Sequence, residues 1–180
     1  MSRQHRPWYE GAMYHTFSRG NRRGDLFLDD ADRQKYFSLL LETRKLYPYT
    51  LHSYCLMTNH THLLIETDQH HIGIIMKNIN FRYAIYFNKK YKLDGHVFQG
   101  RYGSTLIESA VKFLNTTRYI HLNPVEANIT KSPENYKWSS YNSYITKTAN
   151  ELISKNKTLF YFMPPQIENF KKYTIDEVKD

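Results

Sequence analysis

Residues 49–66 read YTLHSYCLMTNHTHLLIE, two β-rich runs joined by a short Thr58-Asn59 turn, the pattern of an antiparallel hairpin. In a strand, residues two apart point the same way, roughly 6 to 7 Å apart. His60, His62, Leu64 and Glu66 therefore share one face of the second run, and Thr61, Leu63 and Ile65 share the other. The second of these faces is apolar enough to lie on a layer of helices. Something polar must meet the first.

The rest of the chain supplies partners for this hairpin. MYHTFSR, Met13 to Arg19, alternates as a first strand and runs into the turn GNRRGD. A helix of about four turns is expected next, with Asp29 or Asp30 as N-cap, Phe37, Leu40 and Leu41 at helical spacing, and Pro48 just past its end. Beyond the hairpin, Ile72, Ile75, Met76, Ile79, Tyr83, Tyr86 and Phe87 mark the stripe of a core helix that YKLDG stops. STLIE, Ser104 to Glu108, is a short fourth strand. The order β-α-β-β-α-β implies an α+β, ferredoxin-like fold: an antiparallel sheet with two helices on one face, leaving the face of His60 and His62 free.

A third helix follows from Ser109, a plausible N-cap, and is expected to end before Pro124. Ala110, Phe113, Leu114, Thr117 and Ile120 form its apolar stripe, and Lys112, Thr116, Tyr119 and Asn123 fall on a polar stripe at steps of four, three and four. SPENYKWSSYNSY reads as an ordered loop anchored by aromatics. The chain of 180 residues, 41% hydrophobic, suits one domain over residues 1–145 with a tail over 146–180 that can be partly disordered.

One cysteine, Cys55, excludes an internal disulfide framework, and no segment has the length and hydropathy to span a bilayer or lead the chain into one. A cytoplasmic protein without a membrane partner is expected. The net charge of +8 favours a polyanion, and an aromatic content of 16% among those basic residues suits a single-stranded nucleic acid. The cations best placed for a phosphate backbone are Arg19, Arg22 and Arg23 after the first strand, Arg101 in QGRY, and Lys112 and Arg118 on the third helix.

An H-x-H tripeptide places two imidazoles on one side of an ion and leaves a third donor to be found, though core histidines with satisfied partners give the same spacing. The Asn123 amide oxygen is an available donor, and Tyr119 stands one turn before it on the polar stripe. A tyrosine beside a divalent ion that polarises a phosphate can act as a nucleophile. On spacing alone Tyr119 is one of sixteen tyrosines. Glu66 shares the histidine face, either as a ligand or acid–base group or as a solvated strand-end carboxylate.

FSRGNRRGDLFLDDADRQKYFSLL, SYCLMTNHTHLLIE, FQGRYGSTLIE, RYIHLNPVEA and YKWSSYNSY stand in the order and approximate spacing of the Y1 transposases of the HUH nuclease superfamily. Over about residues 12 to 144 the chain resembles, more narrowly, the REP-associated tyrosine transposases, relatives of the IS200-like enzymes. The resemblance implies a metal-dependent single-stranded DNA endonuclease and strand transferase on a ferredoxin-like fold, with a catalytic helix on the free face of the sheet and activity near hairpins. It makes His60, His62 and Asn123 ligands of Mg2+ or Mn2+, makes Tyr119 the nucleophile that forms a 5′-phosphotyrosine, and allows a monomer or a homodimer. Two positions depart from the family pattern. Thr58 stands where proline is usual and Glu126 where arginine is usual; the second removes a positive charge near the active helix. Two rival readings remain: a non-catalytic module that stacks single-stranded bases, and a metal-dependent phosphodiesterase that activates water.

Overall fold

A computed structural model describes residues 7–146 and 150–176. Its first strand, β1 (Met13–Arg19), is followed by a one-turn 3-10 segment at Asn21–Arg23 and by α1 (Asp30–Leu46). The hairpin strands are β2 (Tyr49–Met57) and β3 (His60–Thr67), then come α2 (Ile72–Tyr91), β4 (Gly103–Ile107) and α3 (Ala110–Glu126). The sheet order is β2-β3-β1-β4 with every neighbouring pair antiparallel, the ferredoxin-like arrangement that the element order implies.

Helix α1 starts where its sequence dictates. Asp29 caps it by accepting from the Asp32 backbone N–H at 2.9 Å, and the Asp32 carboxylate reaches back to the Asp29 N–H, a reciprocal capping box. The fully buried stripe of α1 is Tyr36, Leu39, Leu40 and Thr43; Phe37 and Leu41 sit at its flank. Phe37 packs edge-on against Tyr54 and stacks on Trp138, so the aromatic loop pulls the helix's contacts round by one residue. The stripe of α2 is buried except for half-buried Tyr86, whose hydroxyl donates to Asp32 at 3.1 Å. Both helices cover Leu63 and Ile65 of β3 and Tyr14 of β1, all at most 1% exposed, and so form the main core.

The opposite face carries α3. Leu64, Ile107, Phe113 and Ile120 make a smaller core there with Cys55 and Met57. Three expectations for α3 are corrected. The helix runs through Pro124 to Glu126, since proline's fixed φ is helical and in the last turn it forfeits only one backbone hydrogen bond. Ala110, in the first turn, is exposed. His121, absent from the expected stripe, is fully buried between Tyr141, Tyr144 and Phe170. Strand β2 departs from strict alternation as well: its register shifts between Leu51 and Ser53, and the extra residue, His52, is directed onto the α3 side against Phe113.

The loop after α3 lies along the outer edge of β2. Leu56 N–H donates to Trp138 O at 2.9 Å and Tyr136 hydroxyl to Leu56 O at 2.8 Å, which occupies an edge otherwise open to pairing. It leads into α4 (Tyr141–Ile145); α5 (Asn156–Phe160) and α6 (Gln166–Ile175) follow. Tyr141 and Tyr144 pack with Leu159 and Phe170, so contacts continue across the boundary between residues 145 and 146. Residues 147–149 and 177–180 of the tail lie outside the described residues. Among the described residues no helix is long and apolar enough to cross a membrane.

Candidate active site

Where α3 leaves the sheet, a cleft of about 1000 Å³ opens between them. Its floor is the polar face of β1 and β3, with His15, His60 and His62; its wall is the polar stripe of α3, with Lys112, Thr116 and Tyr119. The alternation of the strands and the 3.6-residue period of the helix thus aim their polar faces at the same space. Tyr119 is 41% exposed and presents its ring edge-on to His62 at 5.4 Å and to His15 at 5.8 Å between centroids. Asn123, one turn on, faces His60, its Oδ1 lying 3.2 Å from Nε2 of the imidazole. The uninterrupted last turn of α3 is what keeps Tyr119 and Asn123 on one side.

Each ring nitrogen of His60 faces an amide oxygen, and which of them donates depends on the tautomer. Asn59 donates through Nδ2 to Arg23 O at 3.4 Å, which turns its Oδ1 towards His60 Nδ1 at 2.7 Å. In the tautomer with Nδ1 as donor to Asn59, Nε2 carries the lone pair. A lone pair on Nε2 and a carbonyl oxygen of Asn123 facing each other at 3.2 Å repel unless a cation lies between them. His62 Nδ1 meets His15 Nε2 at 2.9 Å; with Nδ1 donating, its Nε2 is a lone-pair donor as well. Burial keeps all three imidazoles neutral. It pushes His15 down to about 4 and, with the neighbouring His15, His60 and Arg19, His62 to about 3, and it lowers His60 against the opposing contact with Asn123. Two neutral imidazoles and an amide oxygen fit a divalent ion with positions left for substrate. Among the described residues no three His, Cys, Asp or Glu side chains are grouped to hold a metal.

Of the expected cations, Arg19, Arg101 and Lys112 line the cleft. Arg22 and Arg23 stand exposed in the neighbouring 3-10 turn with φ of 53° and 62°, outside the lining. The turn depends on Gly20, where a Cβ would lie 1.9 Å from Gly24 O, and its carbonyl at Arg23 is the anchor for Asn59. Arg118 departs from expectation: it donates through Nε to Thr174 O at 3.1 Å and through a terminal nitrogen to Asp176 O at 2.6 Å, tying α6 to α3. Its guanidinium is committed to backbone carbonyls. Glu66 lies outside the cleft lining too, accepting from His52 at 2.7 Å and Lys157 at 2.8 Å; these bonds, opposed by burial, hold its carboxyl down near about 2.

Sequence reasoning missed His15, Asn59 and Phe17. His15 and Phe17 are legible only once the register is known: β1 pairs with β3 so that Phe17 opposes His62, and the next inward residue of β1, His15, leans on the same ring; Asn59 is the sequence neighbour of His60 and acts through its side-chain oxygen.

Residues 9–123 match the family described as "Transposase IS200 like". Among solved structures, the chain is similar to one titled as a REP-associated tyrosine transposase bound to a REP hairpin, at a TM-score of 0.71 and 15% identity, covering 86% of this chain and 94% of that one. It is also similar to a putative transposase from Deinococcus radiodurans R1, at a TM-score of 0.46 and 17% identity, covering 76% of this chain and 98% of that one. No curated protein matches. The match of the family over 115 of the 180 residues, from Tyr9 to Asn123, spans the sheet, both core helices and the residues of the cleft, and the chain belongs to the IS200-like transposase family.

Proposed function

We propose that this transposase cleaves and rejoins single-stranded DNA beside hairpins, with Tyr119 as nucleophile and a divalent ion, Mg2+ or Mn2+, held by His60, His62 and Asn123. The observation that carries the reading is Tyr119, 41% exposed and edge-on to His62 in the cleft, with Asn123 one turn along the same helix meeting His60 Nε2 through its Oδ1 at 3.2 Å. The REP hairpin bound to the structurally similar REP-associated tyrosine transposase supports a hairpin partner here.

In the proposed reaction the Tyr119 hydroxyl oxygen attacks the scissile phosphorus. The new P–O bond forms as the P–O3′ bond breaks. The tyrosine proton passes to solvent, which reaches the exposed hydroxyl, and the departing 3′-oxygen takes up a proton. The products are a 5′-phosphotyrosine and a free 3′-hydroxyl, and attack of a 3′-hydroxyl on the phosphotyrosine reverses the step and joins strands. A bound divalent ion supplies Lewis-acid polarisation of a non-bridging phosphate oxygen. His15 fixes the orientation of His62, Asn59 that of His60, and Arg19, Arg101 and Lys112 offset phosphate charge along the cleft. The protein acts in this proposal as a monomer or a homodimer, each chain carrying one such cleft.

The test uses end-labelled hairpin oligonucleotides with single-stranded flanks, incubated with protein and Mn2+ or chelator and resolved on denaturing gels. A metal-dependent protein–DNA adduct that Tyr119→Phe abolishes is the expected result. Cleavage without an adduct points to activated water, and binding without cleavage across the panel points to a binding module; either outcome overturns the proposal.

A further inference from the structure

We propose that Phe17 is a stacking platform for one unpaired nucleobase next to the scissile phosphate, and that Gly103 is the gap in the sheet that seats it. The inference rests on the reading of the cleft as a single-stranded DNA site and extends it to a base-binding position.

The register places Cys55, His62, Phe17 and Gly103 in one row across the sheet. Cys55 is buried and His62 nearly so, whereas Phe17 is 43% exposed. Its neighbours in β1 on the other face, Thr16 and Ser18, are buried. An exposed phenyl ring in the middle of a cleft floor, with Arg19, Arg101 and Lys112 around it, is surrounded by the charges that attract a phosphate backbone.

Gly103 explains the ring's position. A Cβ there would lie 2.2 Å from Phe17 Cζ and 2.4 Å from Cε2, so the tip of the ring occupies the space that any side chain at 103 would need. Gly103 is not among the residues with positive φ, so its backbone conformation makes no demand for glycine. A glycine inside a strand weakens it and marks a close approach, here that of the ring. His15 and His62 meet the ring at 51° and 44°, with centroids 5.9 and 6.4 Å away, so neither stacks on it. Adjacent strands are about 5 Å apart, which puts the ring within one nucleotide of a phosphate held at His62. Stacking on an aromatic face accepts any base, and this position therefore contributes affinity and placement with little sequence preference.

The experiment uses the full chain carrying Tyr119→Phe, which holds DNA without cutting it. Hairpin oligonucleotides are made with 2-aminopurine, or with an abasic site, at each unpaired flank position in turn. One position adjoining the cleavage point is expected to show quenching that Phe17→Leu removes and Phe17→Trp restores. An abasic site there is expected to weaken binding about ten- to a hundredfold in the parent and not at all in Phe17→Leu. Gly103→Ala, which keeps the ring and displaces it, should fall between the two. Identical quenching and abasic profiles in parent, Phe17→Leu and Gly103→Ala overturn the inference. The cleaving protein separates the two claims: an adduct at Tyr119 with no effect of Phe17→Leu sinks only the platform, while position-specific quenching without an adduct sinks only the nucleophile.

Discussion

The two faces of the sheet are built from the same strands to different ends. On one face Leu63, Ile65, Tyr14 and Leu51 meet α1 and α2, each at most 1% exposed. On the other α3 covers only part of the sheet, closing over Leu64, Phe113 and Ile120 and leaving β1 and the start of β3 open beside it. Alternation by twos makes the faces separable: neighbouring residues on one strand serve stability and chemistry without sharing a surface. The closed face should therefore set stability, and the open face should set metal and DNA binding.

Leu63→Ala tests that division most severely. It removes a fully buried side chain from the closed face and is expected to destabilise the fold by about 2 to 5 kcal/mol in urea unfolding. Asn123→Ala on the open side is expected to leave the unfolding midpoint without metal nearly unchanged and to abolish the rise in melting temperature that Mn2+ produces, read by differential scanning fluorimetry. Equal losses of stability from both variants would erase the distinction. Next in size, His15→Ala should weaken Mn2+ binding about 10- to 100-fold by freeing the His62 ring, measured by calorimetric titration.

The packed end of the open face predicts a pH dependence. Glu66 is held near about 2 against an ordinary value of 4.5 by its bonds to His52 and Lys157. The folded state thus releases this proton more readily than the unfolded chain. Its stabilising contribution is fully present above about pH 4.5 and is lost as the pH falls towards about 2. Glu66→Gln should flatten the fall in stability over that window while leaving Mn2+ binding unchanged. The smallest effects concern cations: Arg101→Ala and Lys112→Ala should each reduce the salt dependence of DNA binding by about one unit of slope, and Arg118→Ala should not.

Much of this contrast is readable in the sequence because it is periodic. The hairpin, the N-cap at Ser109, the start of α1 at one of Asp29 and Asp30, and the stripe of α2 follow from spacing alone. Spacing also puts His60 with His62 on one strand face and Tyr119 with Asn123 on one helix stripe, but the meeting of the two is implied by the family resemblance and is seen only in the packing of α3 on the sheet. Register and tertiary contact are not periodic. His15 reaches His62 only through the pairing of β1 with β3. Arg118 looks like a free cation until the backbone carbonyls of Thr174 and Asp176 are placed beside it. Helices α5 and α6 escape the reading because they are short and are fastened by Phe170 among Tyr141 and Tyr144. The end of α3 differs from the expectation for a local reason, as a proline in a last turn does not stop a helix whose other contacts are intact.

Trypsin digestion of the protein–DNA adduct, followed by mass spectrometry, tests the central claim most directly. Cleavage after Arg118 and Lys131 releases the peptide YIHLNPVEANITK, in which Tyr119 is the one tyrosine. The account predicts a 5′-linked nucleotide remnant on this peptide, formed with Mn2+ and absent with chelator. A remnant on any other peptide, or cleaved DNA with every peptide unmodified, would contradict it.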